Sequence, residues 1–207
     1  MSYITLRNEA GAELVEKKSR FIARACPVTT EQEALDFLES IRVQNRTASH
    51  NVFAYRLRER NLSRYSDDGE PSGTAGLPVL DILERADITD AIIVVTRYFG
   101  GTLLGTGGLV RAYSGAAGKA AEAAGIVTME ESGIYDFKCG YPEYERTARI
   151  LREAGAEITA SEFLDQVKIT YIANAAKEAM IEPALRELSR GKSEPVLIET
   201  GFFPAGG

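Results

Sequence analysis

The chain has no tryptophan, a single histidine and only two cysteines in 207 residues. Cys26 and Cys139 are too few for the set of bridges that staples a small secreted domain. Neither has a CxxC partner or a neighbouring histidine, which argues against a zinc site. Both read as reduced, buried thiols. His50, standing alone, supports no Ser-His-Asp or Cys-His arrangement by itself, because those roles are set by geometry. It reads first as a structural side chain and second as a candidate general base. No apolar run approaches the roughly 18 residues a membrane helix needs. Met1 is followed by Ser2 and a short strand-like run, so no secretory signal is legible. The expectation is a cytoplasmic protein without a membrane partner.

Charged residues make up 26% and apolar ones 44%, with a net charge of −6, an ordinary globular composition. The length suits one large domain or two small ones. The stretch from Arg64 to Lys119 carries most of the punctuation. An acidic, turn-rich loop leads into a short amphipathic helix. A continuous apolar strand from Ala91 to Val95 then runs out into Arg97-Tyr98-Phe99.

A glycine loop follows, with Gly100, Gly101, Gly105, Gly107 and Gly108 inside nine residues. Glycine permits positive φ and close backbone approach. Set between a strand and a helix, the loop can aim free N–H groups at an anion. Thr106 is the expected N-cap. Leu109, Val110, Tyr113, Ala116, Ala117, Ala120 and Ala124 form the apolar stripe of the next helix. No Gly-Lys-Ser/Thr follows, so this is not a Walker A loop, and a strict GxGxxG is also absent. The candidate anion-binding set is Arg97, Gly100, Gly101, Gly105, Thr106, Gly107, Gly108 and Arg111. A tight turn with no ligand explains the glycines equally well.

Ahead of the loop, Asp67, Asp68 and Glu70 precede Pro71-Ser72-Gly73-Thr74. Three carboxylates on a loop are weak candidates for Mg²⁺, which takes oxygen ligands. Asp68 and Glu70 are also weak catalytic candidates. A solvated turn accounts for the same composition.

The run DDGEPSGTAG, the GxPVL at Gly76 to Leu80, the VVTRYFGGTLLG from Val94 to Gly105 and the HNVFAYRL at His50 to Leu57 together resemble the signature of the YigZ/IMPACT family in its two-domain bacterial form. The likeness runs over nearly the whole chain. It implies an α+β protein. Its N-terminal domain, about residues 1–132, would be similar to domain 2 of ribosomal protein S5. Its C-terminal domain, about 133–207, would be ferredoxin-like and similar to domains of elongation factor G. It also implies a link to control of translation through protein partners.

Along the rest of the chain, Tyr3 to Leu6 reads as an edge strand and Asn8 to Gly11 as a turn. Ala12 to Glu16 and Arg20 to Cys26 read as a hairpin, with Phe21, Ala23 and Ala25 on one side. Thr30 and Glu33 make a capping-box pattern opening a helix to about Val43. After Gly133 the order is strand, helix from Pro142, two strands around Leu164-Asp165, helix from Ala175 to Arg190, and strand Val196 to Glu199. That is the split β-α-β arrangement. Gly206 and Gly207 close a tail expected to fray.

Arg42, Arg46, Arg56, Arg58, Arg60 and Arg64 stand against the single acid Glu59. With Tyr55 to stack on, they form a candidate nucleic-acid stripe. Pairing with the acidic loop would cancel it. Three functions remain open. The first is a non-catalytic protein binding RNA, the ribosome or translation factors. The second is a regulator acting through a protein partner. The third is an enzyme or binder for a phosphorylated small molecule, the only reading that calls for a cofactor, Mg²⁺.

Overall fold

The computed structural model describes residues 1–205; Gly206 and Gly207 lie outside the described residues. The chain divides into two compact units. One is Tyr3–Val127, and the other runs from Thr128 onward together with Met1 and Ser2.

The elements of the first stretch are β1 (Ser2–Leu6), β2 (Ala10–Glu16), β3 (Ser19–Pro27), α1 (Glu31–Gln44), β4 (His50–Leu57), β5 (Leu62–Ser66), α2 (Gly76–Arg85), β6 (Ala91–Tyr98) and α3 (Thr106–Ala124). Five of the strands form a sheet in the order β2-β3-β6-β4-β5, and each neighbouring pair is antiparallel. β6 is central and covered on both faces, which is why it reads as a near-continuous apolar run. Ala91, Ile93 and Val95 point into a core shared with Phe21, Ala23, Val52 and Ala54 and with α2 and α3. Ile92 and Val94 point the other way, into a smaller core under α1 with Leu38, Ile41 and Tyr55.

Thr30 caps α1, its Oγ1 accepting from the Glu33 amide at 3.2 Å. The Glu33 carboxylate returns to the Thr29 amide and hydroxyl at 2.7 and 3.1 Å, which closes the start of the helix from the other side. Small residues let α3 lie flat on the sheet: Ala112, Ala116, Ala117, Ala120 and Ala124 are all buried. Val110, expected in that stripe, turns 37% exposed instead. The residues expected to form a turn from Asn8 to Gly11 already enter β2 at Ala10. β5 had no sequence signal, because its LSRYS is a polar edge strand.

The second unit follows β7 (Ile126–Cys139), α4 (Tyr144–Glu153), β8 (Glu157–Phe163), β9 (Val167–Ala173), α5 (Ala175–Leu188) and β10 (Val196–Pro204). The sheet path β10-β7-β9-β8 is antiparallel throughout. This is the β-α-β-β-α-β order read from the pattern. Phe137, Val167, Ile169 and Tyr171 point into its core with Leu151, Ile181 and Leu185 from the two helices. No helix among the described residues is long and apolar enough to cross a membrane.

Candidate functional site

The acidic turn is an internal scaffold. The Asp67 carboxylate accepts from the amides of Gly73, Ala75 and Gly76 at 2.9, 3.0 and 2.8 Å. It therefore caps the start of α2, at the positive pole of that helix. Asp68 lies in the left-handed region at φ 44°, and its carboxylate accepts from the Asn51 amide at 2.6 Å. Arg42 stands 3.7 Å from its other oxygen.

Glu70 turns inward. Its Oε1 accepts from Arg97 Nη1 at 2.5 Å and from the Tyr113 hydroxyl at 2.8 Å. The Glu70 and Arg97 side chains are only 4% and 6% exposed. Burial first, and the Glu70 charge second, push the Tyr113 phenol far above its usual range. Arg97 Nη2 donates to Ser19 Oγ at 3.4 Å, and the guanidinium lies 5.4 and 5.5 Å from the Phe21 and Phe99 ring centres. Its buried Nε has no hydrogen-bond partner among the described residues.

His50 stands beside this node, with Nε2 3.8 Å from Glu70 Oε1. Its Nδ1 lies 2.8 Å from the Asp68 carbonyl. A carbonyl only accepts, so Nδ1 carries the proton. Among the described residues His50 makes no hydrogen bond to a hydroxyl or thiol.

Two expectations are corrected here. Asp67, Asp68 and Glu70 do not converge on one point. Each is engaged by different protein donors, and among the described residues no group of three His, Cys, Asp or Glu side chains could hold a metal ion. Arg97 is likewise withdrawn from the anion-binding set, because its charge is already balanced by Glu70.

The glycine loop lies directly above. Gly100 donates its amide to Ser19 Oγ at 3.1 Å. A Cβ on Gly100 would sit 2.1 Å from the carbonyl carbon of Lys18, so only glycine fits against the β2–β3 turn. Gly101 and Gly105 take positive φ and have open space where a side chain would be. The N-cap of α3 is Gly105, not Thr106, which is the first helical residue. No side chain caps this helix, and no acid lies in its first turn. Thr106 and Gly107 are exposed, and Arg111 follows one turn later, also exposed.

The arginine stripe dissolves on inspection of its partners. Tyr55 is 3% exposed, stacks on Phe53 and donates its hydroxyl to Glu31 at 2.6 Å, so it offers no platform for a base. Arg56 donates to the carbonyls of Leu83 and Ile88 at 3.3 and 3.1 Å. Arg58 holds Asp90 at 2.5 Å and covers the Tyr3 ring. Arg60 pairs with Glu59, and Arg64 donates to the Ser63 carbonyl. Arg46 and Arg64 are the members of the set exposed without an ion pair among the described residues, Arg64 donating only to a backbone carbonyl.

Sequence reading missed Lys17 and Lys18. They form the two-residue turn between β2 and β3 with φ of 45° and 67°. The short gap left between the two alternating runs, residues 17–19, was the available signal. Both lysines are exposed, and neither forms an ion pair among the described residues.

The class defined by these features is a two-unit α+β protein. Its N-terminal unit locks an acidic turn to a glycine loop through a buried ion pair. Residues 17–121 match the Impact N-terminal domain, and residues 137–192 match a domain of unknown function, DUF1949. The chain is 37% identical to the IMPACT family member YvyE of Bacillus subtilis, over 93% of this chain and 89% of that protein. It is 34% identical to the IMPACT family member YigZ of Escherichia coli, over 88% and 91%. Protein IMPACT-A of Xenopus tropicalis matches only 46% of this chain, at 34% identity, over 31% of its own length. A crystal structure titled as that of a hypothetical protein superposes with a TM-score of 0.60 at 31% identity, covering 96% of this chain and 98% of its own. The chain belongs to the IMPACT family.

Proposed function

We propose that this protein is a regulatory binding protein of the translation apparatus, engaging RNA phosphates through the glycine-loop end of its N-terminal unit. Membership of the IMPACT family supports a regulatory role in translation in general. The observation that carries the finer reading is a rim of unpaired cations around exposed apolar side chains. Lys17 and Lys18 sit at the hairpin tip, against Gly100. Arg46 lies in the segment tied to the end of β6 by Asn45, which accepts from Tyr98, and by Ser49, which accepts from the Phe99 amide. Arg111 projects from the first turns of α3. Phe99 and Leu103, which flank Gly100 and Gly101 in the sequence, are 49% and 83% exposed.

Residues 45–49 and 99–111 contain no acid, in a chain whose net charge is −6. Unpaired cations on one face attract phosphates, because binding releases counterions. The uncapped amides of α3 add donors beside them. Phe99 supplies a face for stacking an unpaired base.

A mobility-shift titration with single-stranded RNA at low salt tests this. Wild type binds, and Lys18→Glu/Arg111→Glu weakens binding by about tenfold or more, as removing two phosphate contacts requires. Absence of wild-type binding at low salt removes the RNA reading.

A further inference from the structure

The second unit carries a groove that the N-terminal site does not involve. It lies between the start of α4 and the end of α5 and encloses about 700 Å³. Pro142, Ile150, Ala184 and Leu188 are its apolar lining residues, within a surface that is mostly polar. Its walls carry Arg146, Arg190 and Lys192. All three are exposed, and none forms an ion pair among the described residues.

This concentration runs against the local balance. Residues 133–207 hold nine lysines and arginines against twelve acids. Most of the other cations are engaged: Lys168 with Glu162 at 2.9 Å, Arg186 with Glu194 at 3.1 Å, Arg149 with Glu153 at 3.9 Å, and Lys177 with the Gly155 carbonyl at 2.7 Å. Two acids, Glu143 and Glu187, also line the groove, so its three cations leave one positive charge in excess. Arg190 holds φ 54° just past the end of α5, where glycine or asparagine is the usual choice.

We infer that this groove docks an acidic polypeptide segment of a partner protein, with carboxylates on the three cations and an aliphatic side chain against Ile150 and Leu188. Three cations without ion pairs, beside a few apolar side chains, fit acidic residues interspersed with leucines. It does not fit a nucleic acid, because no aromatic side chain lines it and a base would find no stacking face. The groove admits a few side chains, so the segment is short and binds weakly, with affinity that falls as salt rises.

The probe is a short fluorescein-labelled peptide of glutamates and leucines, read by anisotropy on the full chain. Saturable binding is expected. Arg146→Glu/Arg190→Glu reduces it by about tenfold or more, since two desolvated contacts are lost. Replacing the peptide leucines by serine reduces it as well. Arg152→Glu, an exposed charge reversal on α4 that does not line the groove, leaves it unchanged. Thermal melts of the variants check that they fold. No saturable binding at low salt, equal loss with Arg152→Glu, or equal affinity for a single-stranded RNA of the same length would each overturn the assignment. The Lys18→Glu/Arg111→Glu variant keeps full peptide binding, so this site and the RNA face fail or succeed separately.

Discussion

Replacing Lys17 and Lys18 by asparagine and glycine removes two cations and a backbone strain together. Both residues occupy the left-handed region, at φ 45° and 67°. That conformation costs a side-chain-bearing residue about 1–2 kcal/mol. A two-residue turn of this kind favours Asn-Gly. Glycine at the second position relieves its full cost but returns roughly 0.5–1 kcal/mol in unfolded-state entropy. Asparagine relieves part of the cost at the first. The net expectation is a gain of about 0.5–1.5 kcal/mol, or roughly 2–6 °C in the melting of the N-terminal unit. The contact with Gly100 survives, because it involves the Lys18 main chain. RNA binding should weaken at the same time, since two phosphate contacts leave. Urea unfolding followed by circular dichroism gives the first quantity, and anisotropy with labelled RNA gives the second. A variant that is more stable and binds less shows that the lysines are held there for their charge. Loss of stability refutes the strain reasoning, and unchanged RNA affinity refutes the assignment of the turn to the binding face.

Glu70→Leu strands a buried guanidinium and should cost about 3–5 kcal/mol in urea unfolding, much of it recovered in Glu70→Leu/Arg97→Met; a loss below about 1 kcal/mol would show the pair to be solvated. Asp67→Ala leaves three amides at the start of α2 without their acceptor, and a loss of about 1–3 kcal/mol is expected. The Tyr113 phenol is raised by burial and by Glu70, so its neutral form belongs to the fold. Its contribution is fully present below the ordinary value of 10.0 and is lost as pH climbs above it towards the folded value. Tyr113→Phe should therefore unfold less steeply than wild type in alkali, and identical profiles would contradict this.

The strands and helices that follow simple periods were legible. His50–Leu57, the α1 cap at Thr30 and the β-α-β-β-α-β order of the second unit all follow from local patterns. The site was legible only in its parts. The acidic turn and the glycine loop were visible as segments, but whether a carboxylate faces water or a buried guanidinium depends on packing between positions distant in sequence. Glu70 and Arg97 are 27 residues apart, and Ser19 lies 78 from Arg97. The arginine stripe misled for the same reason: alternation along β4 sends Arg56 to backbone carbonyls at the end of α2, while Asp90, 32 residues on, draws in Arg58. Lys17 and Lys18 gained their importance only when the hairpin tip came to rest on Gly100.

The binding face is tested most directly by the slope of log affinity for single-stranded RNA against log salt. Each phosphate contact adds about 0.7 to that slope, so Lys18→Ala/Arg111→Ala should lower it by about 1.4. Arg60→Ala, an exposed arginine of the basic stretch outside the rim, should leave it as in wild type. A double variant with the wild-type slope, or an equal fall with Arg60→Ala, would contradict the account.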